Sequence, residues 1–118
     1  MTIDPQALVK VVVEAAEDKK AYDITVLDIS RISIIADYFV ILSGRSTTQV
    51  QAIAEEIIRV VQERAGLVPR QEGMREGRWV LLDYGDVVVH VFLESERQFY
   101  NLERLWGDAR VVAMSVNL

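Results

Sequence analysis

The chain has 118 residues, a mass of 13.4 kDa and a hydrophobic content of 51%, which predict one folded domain and exclude a disordered protein. The absence of cysteine excludes thiolate nucleophiles, disulfides and cysteine metal sites, and it suits a reducing cytoplasm. The net charge of −5 disfavours direct binding to a nucleic-acid backbone, which attracts basic surfaces. The apolar runs are strand-sized and the N-terminus lacks a signal-peptide pattern, so we expect a soluble, cytoplasmic protein that does not bind membranes.

The N-terminal third predicts one helix and two strands. Asp4 is expected as the N-cap of the helix and Pro5 as its first residue, and the apolar stripe that follows runs to about Asp18. β-Branched and aromatic residues predict strands at 24–29 and 37–42, with a short connection between them.

A second helix follows the Ser43-Gly44 turn. Ser46 and Gln49 have the spacing of a capping box, and the buried stripe ends at Gly66, a typical residue after a helix. A turn between a strand and a helix can hold a phosphate, but a single glycine favours plain turn and capping chemistry.

The central feature is a predicted β-hairpin at 77–92, after a short edge strand or loop near Glu72. With Tyr84 and Gly85 as a two-residue loop, Trp79 is expected to pair with His90. Alternation then gives the hairpin two apolar faces, and we expect a helix on each side of the sheet to bury them. One face carries Trp79, Leu81, Val88 and His90, and the other carries Val80, Leu82, Val87 and Val89.

The C-terminal part predicts a helix from Glu94 to Arg104, which Gly107 ends. Residues 108–118 are compatible with an added strand or a mobile tail. The expected fold is a single-domain α/β protein, a mixed sheet flanked by helices, with a domain at 1–109 and a tail at 110–118.

A metal-dependent nucleotidyltransferase is the alternative function that the residues suggest. Such enzymes place two carboxylates at i and i+2 on a strand after a glycine-serine turn and helix, so that the carboxylates hold the metal ion. Here Asp86 has valine at position 88, so the second carboxylate is missing, and acidic hairpin tips such as Asp83 and Asp86 are usually solvated. In this alternative Ser43 and Gly44 join the two aspartates in a nucleotide-binding site. We expect no catalytic residue, no metal and no cofactor.

His90 is the only histidine and the only side chain that titrates near neutral pH without help. A catalytic base needs a nucleophile or an orienting partner, and spacing assigns neither. Its expected neighbour Trp79 favours a packed, structural histidine.

Four segments resemble the ribosomal silencing factor family, also called the Iojap family. The resemblance covers about residues 5 to 109, with the motifs in the same order. The segments are DYFVILSG at 37–44, QVQAIA at 49–54, WVLLDYGDVVVHVF at 79–92 and FYNLERLW at 99–106.

This resemblance implies a nucleotidyltransferase-like fold without catalysis. It further implies a translational repressor that binds the large ribosomal subunit through ribosomal protein fourteen and blocks docking of the small subunit when nutrients are scarce. The contact positions of the family fall on Trp79, Asp83, Tyr84 and Asp86. Aromatic anchors and carboxylates suit a basic partner protein. A homodimer formed through the apolar hairpin remains an alternative partner.

Overall fold

The computed structural model describes residues 3–101 and 110–112. The elements are α1 (Pro5–Asp18), β1 (Tyr22–Asp28), β2 (Tyr38–Gly44), α2 (Thr47–Ala65), β3 (Arg70–Glu72), β4 (Trp79–Asp83), β5 (Val87–Leu93), α3 (Glu94–Tyr100) and β6 (Arg110–Val111). The sheet runs β3-β4-β5-β2-β1-β6, in which β2 and β5 are parallel and the other neighbours are antiparallel. The predicted α/β fold with a mixed sheet is confirmed.

The two long helices begin close to where the sequence predicts. Asp4 is the N-cap of α1 and Pro5 its first residue, as predicted, although the Asp4 side chain makes no cap hydrogen bond to the described residues. At α2, Ser46 Oγ accepts from the Gln49 amide at 3.1 Å. Gln49 Oε1 accepts from the amide of Arg45 rather than Ser46, at 2.6 Å, so the capping box closes one residue early.

Gly44 lies where β2 meets α2, with little room for a side chain. A Cβ atom at this position would lie 3.0 Å from Val50 Cγ2 and 3.2 Å from the Val50 amide nitrogen. The glycine therefore lets the strand approach the helix closely, which supports the structural interpretation of the Ser43-Gly44 turn.

Both long helices pack on the same face of the sheet. The core on that side joins α1 and α2 to strand residues such as Val40, Leu82 and Val89. The core on the other face consists, among the described residues, of strand and loop side chains around Phe39, Ile41 and Phe92. The expectation of one helix on each side is wrong for α1 and α2, because the stripes of both helices pack against each other as well as the sheet.

The hairpin of β4 and β5 has the predicted faces but a different register. Trp79 pairs with Phe92 and Leu81 with His90, two residues away from the expected pairing. The reason is the loop, because the Tyr84 amide donates to the Val87 carbonyl at 3.0 Å and leaves Gly85 and Asp86 as the two loop residues. Gly85 has a φ of 91°, at the position where type II′ hairpin turns carry glycine. A shift of two residues moves no side chain to the other face, so the predicted faces are confirmed.

The C-terminal part contains a shorter helix and an added strand. α3 ends at Tyr100 rather than Arg104, because Asn101 takes a left-handed φ of 48°. The predicted stop at Gly107 lies outside the described residues. Of the two alternatives for the tail, 110–111 form a strand, since Leu27 pairs with Val111 and the Val112 amide donates to the Val26 carbonyl at 2.8 Å.

Candidate protein-binding site at the hairpin

Aromatic rings fill the face of the hairpin opposite the long helices. The Trp79 ring stacks on Phe92, with centroids 4.9 Å apart and an interplanar angle of 28°. Phe39 meets His90 edge to face at 4.8 Å. Trp79 is half-buried, so its indole ring packs within this face and is also partly exposed at the surface.

His90 is locked into this cluster. The indole Nε1–H of Trp79 donates to His90 Nδ1 at 3.1 Å, which fixes Nδ1 as the acceptor and places the imidazole proton on Nε2. Nε2 is buried and has no hydrogen-bond partner among the described residues. Burial lowers the pKa of His90 to about 4, because the charged imidazole would lose its hydration. The predicted structural role of this histidine fits its position.

Asp83 lies at the tip end of β4, on the same face as Trp79. Its Oδ2 accepts from Arg70 Nη2 at 3.2 Å, and its Oδ1 accepts from the Gly85 amide at 2.8 Å. The carboxylate therefore shapes the loop and is partly neutralised by Arg70. Trp79 and Asp83 are four residues apart on one strand, about 13 Å at the usual rise.

Tyr84 points to the other face. Its ring packs against the helix-side core, and its hydroxyl is buried without a hydrogen-bond partner among the described residues. Burial raises the pKa of Tyr84 above its ordinary value. The structure therefore does not bring Tyr84 together with Trp79 and Asp83 on one face.

Asp86 is the exposed residue among the four predicted contact residues. Its backbone carbonyl accepts from the amides of Asp37 at 2.8 Å and Tyr38 at 3.1 Å, which ties the hairpin tip to the start of β2. No ion pair or hydrogen bond involves its carboxylate within the described ranges. This carboxylate is thus available to a partner.

The alternative nucleotide site does not assemble. Ser43 pairs with Phe92 at the carboxyl end of the parallel strands, whereas Asp86 precedes Val87, which pairs with Tyr38 at the other end. A strand of seven residues places these ends about 20 Å apart. Ser43 and Gly44 therefore lie too far from Asp83 and Asp86 to share a ligand. Within residues 3–101 and 110–112, no group of three metal-ligating side chains is found.

A polar cavity of about 700 Å³ lies at the carboxyl end of β2, beside Ser43, Glu94 and Arg97. The sequence did not indicate a special role for Arg97, because an arginine in a predicted helix usually lies on the helix surface. Arg97 donates to Ser43 Oγ at 2.9 Å, to Thr25 Oγ1 at 3.1 Å and to the Asp23 carbonyl. These bonds join α3 to β1 and β2.

We expect Arg97→Met to lower the free energy of unfolding by about 1–3 kcal/mol, because the buried Ser43 hydroxyl loses its donor. Arg64→Met is the matched control, since the ion pair of Arg64 with Glu14 is exposed and worth about 0–1 kcal/mol. Urea unfolding of both variants measures the difference, and equal losses would contradict the structural role of Arg97.

The connection between β1 and β2 was predicted, but its exposed apolar side chains were not. It carries three exposed isoleucines, Ile32, Ile34 and Ile35, with exposed fractions of 44%, 105% and 73%. The available signal was three isoleucines within four residues of a predicted connection.

No helix in the described part of the chain is long and apolar enough to cross a membrane.

Comparison with known proteins places this fold and hairpin in a family. Residues 2–117 match the family model described as ribosomal silencing factor during starvation. The chain is 51% identical to a ribosomal silencing factor RsfS of Halalkalibacterium halodurans, over 92% of this chain and 93% of the relative. It is also 51% identical to the RsfS protein of Bacillus subtilis, over 91% of each chain. A crystal structure from Chromobacterium violaceum superposes with a TM-score of 0.86 at 37% identity, covering 96% of this chain and 93% of that one. The chain belongs to the ribosomal silencing factor family.

Proposed function

We propose that this protein lowers translation under nutrient limitation by binding the large ribosomal subunit. In this proposal the hairpin docks on ribosomal protein fourteen at the subunit-joining face, and the bound protein sterically blocks the small subunit. It acts in the cytoplasm, without a cofactor and without making or breaking a bond. Its relatives are named as ribosomal silencing factors, and the supporting observation in this chain is the exposed, acidic hairpin tip at Asp86.

Charge complementarity supports a basic protein as the partner. The Asp86 carboxylate is exposed, and Asp83, three residues earlier in the chain, has Arg70 as its only ion-pair partner among the described residues. The whole chain has a net charge of −5, which speeds association with a basic surface. Lysines and arginines of a ribosomal protein are suitable counterparts for this tip.

The four contact positions would have different roles in such a complex. Trp79 supplies a half-buried aromatic surface that Phe92 and His90 hold rigid. Asp83 and Asp86 supply charge at the tip. Tyr84 contributes from the helix side, where its packed ring sets the position of the loop.

We expect Asp86→Lys to weaken binding to isolated large subunits by roughly tenfold, about 1.4 kcal/mol, because it places like charges against a basic partner. The measurement is co-sedimentation with large subunits, small subunits and joined ribosomes at several salt concentrations. The effect should shrink as salt rises, since screening weakens exposed charge pairs.

Glu76→Lys is the matched control. It makes the same change of charge on an exposed residue in the β3–β4 connection, at the opposite end of the sheet from the tip. The expected result is selective binding of the wild type to free large subunits, weakened in Asp86→Lys and kept in Glu76→Lys. Absence of wild-type binding to any particle would overturn the proposed function, and equal losses in both variants would overturn the location of the site.

A further inference from the structure

The connection between β1 and β2 is held in a fixed shape by its ends and its own hydrogen bonds. Ile29 and Ala36 are buried in the core opposite the long helices. The Ile29 carbonyl accepts from the amides of Ile32 at 3.0 Å and Ser33 at 2.9 Å, and Ser33 Oγ accepts from the Ile35 amide at 3.1 Å. The segment therefore presents its outward side chains in a defined arrangement.

Three of those outward side chains are apolar, next to the exposed Ser30 and Arg31. The isoleucine loop, defined as Ile32, Ile34 and Ile35, contributes nothing large to the core, since Ile34 is fully exposed and Ile35 nearly three-quarters exposed. Single exposed aliphatic residues are common, but several together on an ordered loop indicate a contact surface. Folding alone gives no reason for isoleucine at these positions.

The isoleucine loop lies at the same end of the sheet as the hairpin tip. The amides of Asp37 and Tyr38, which follow the loop directly, both donate to the carbonyl of Asp86. Val68, which is 67% exposed, precedes the Arg70–Asp83 pair and so lies at this end too. The large apolar side chains that are exposed in the described part of the chain thus all flank the tip. Four strand spacings separate β3 from β1, about 20 Å in all.

We infer that the isoleucine loop is the apolar part of the docking surface whose acidic part is the hairpin tip. The inference rests on the proposed function and extends it to residues outside the hairpin. The partner is a protein surface of the large subunit that offers an apolar patch next to lysines or arginines. Such a patch would take Ile34 and Ile35 while its basic residues meet Asp86.

The combination of the two parts favours this partner over a second copy of the chain. A second copy would bring its own Asp83 and Asp86 near the same tip, where like charges repel. A partner with an apolar patch beside basic residues can contact the isoleucine loop and pair with the carboxylates at the same time. Apolar contacts at the centre with charged contacts around them are the usual arrangement of protein interfaces.

The test is a double variant, Ile34→Ser with Ile35→Ser, in co-sedimentation with isolated large subunits. We expect affinity to fall about tenfold or more, because two side chains that fill an apolar patch are lost. Ile34→Leu with Ile35→Leu is the matched control, which keeps the apolar surface and is expected to bind within about threefold of the wild type. Urea unfolding of both variants should match the wild type, because neither isoleucine is buried.

The outcomes separate this inference from the proposed function. If the serine variant binds like the wild type while Asp86→Lys binds weakly, the inference is overturned and the proposed function stands. If the wild type binds no ribosomal particle, both are overturned. Sedimentation equilibrium without ribosomes addresses the second copy: a serine variant that loses self-association but keeps large-subunit binding would overturn the inference.

Discussion

We expect Phe92→Ala to lower the free energy of unfolding by about 3–5 kcal/mol, the usual range for a buried phenylalanine. Phe92 is fully buried on the central strand β5, and its ring stacks on Trp79 and lies 6.2 Å from His90. Its loss leaves a cavity on the face of the sheet that α1 and α2 do not cover. Equilibrium unfolding in urea, followed by far-ultraviolet circular dichroism, measures the change.

Phe92→Leu is the control for this prediction. It keeps most of the side-chain volume and should lose about 1.5 kcal/mol or less. A loss of under 1 kcal/mol in Phe92→Ala would mean that the aromatic face contributes little to stability. The free energy of unfolding would then come from the core between the sheet and the helices α1 and α2 alone.

The second large effect is a dependence of stability on pH. Burial lowers the pKa of His90 to about 4 in the folded state, whereas the unfolded chain has the ordinary value of 6.5. Above pH 6.5 the imidazole is neutral in both states. As the pH falls from 6.5 towards 4, the unfolded chain binds a proton that the folded chain does not, so the free energy of unfolding falls. The expected loss is about 3 kcal/mol, at 1.36 kcal/mol per pKa unit.

Urea unfolding at pH values between 7 and 4 tests this prediction, with His90→Leu measured in parallel. Carboxylates also titrate near the acidic end of this range, so the difference between the two proteins isolates the histidine. The wild type should lose more stability than the variant, mostly between pH 6.5 and 4. Parallel curves would show that His90 takes up its proton in the folded state as readily as in the unfolded one.

The sequence predicts most of the fold because its signals are local. Pro5, the Ser46–Gln49 pair and Gly66 define the long helices, and alternation defines the two faces of the hairpin. Register was not predictable in the same way. Asp83-Tyr84-Gly85-Asp86 accommodates either loop, and the choice depends on the bond from the Gly85 amide to Asp83 and on the packing of Tyr84 against the helix-side core.

The candidate site was harder to predict than the fold. The resemblance to the family predicted contact residues in the hairpin alone. It did not indicate which other segments lie near the hairpin tip, because those segments are far from the hairpin in the sequence. Asp37 and Asp86 are far apart in the chain, and only the parallel pairing of β2 with β5 brings the isoleucine loop beside the acidic loop. Likewise, the side chain of Arg97 meets β1 and β2 only after α3 folds back over their ends.

The parallel pair β2–β5 also has a consequence for the order of folding. Tyr38 pairs with Val87, so this pairing joins segments about fifty residues apart, whereas a two-residue loop joins β4 to β5. Closing a long loop costs entropy before any contact repays it, so we expect the hairpin to form early and the centre of the sheet to form late. During synthesis the chain cannot form the central β2–β5 pair until β5 has left the ribosome. Until then the apolar stripes of α1 and α2 have no central strand pair to cover, so we expect the nascent chain to be prone to aggregate in this period.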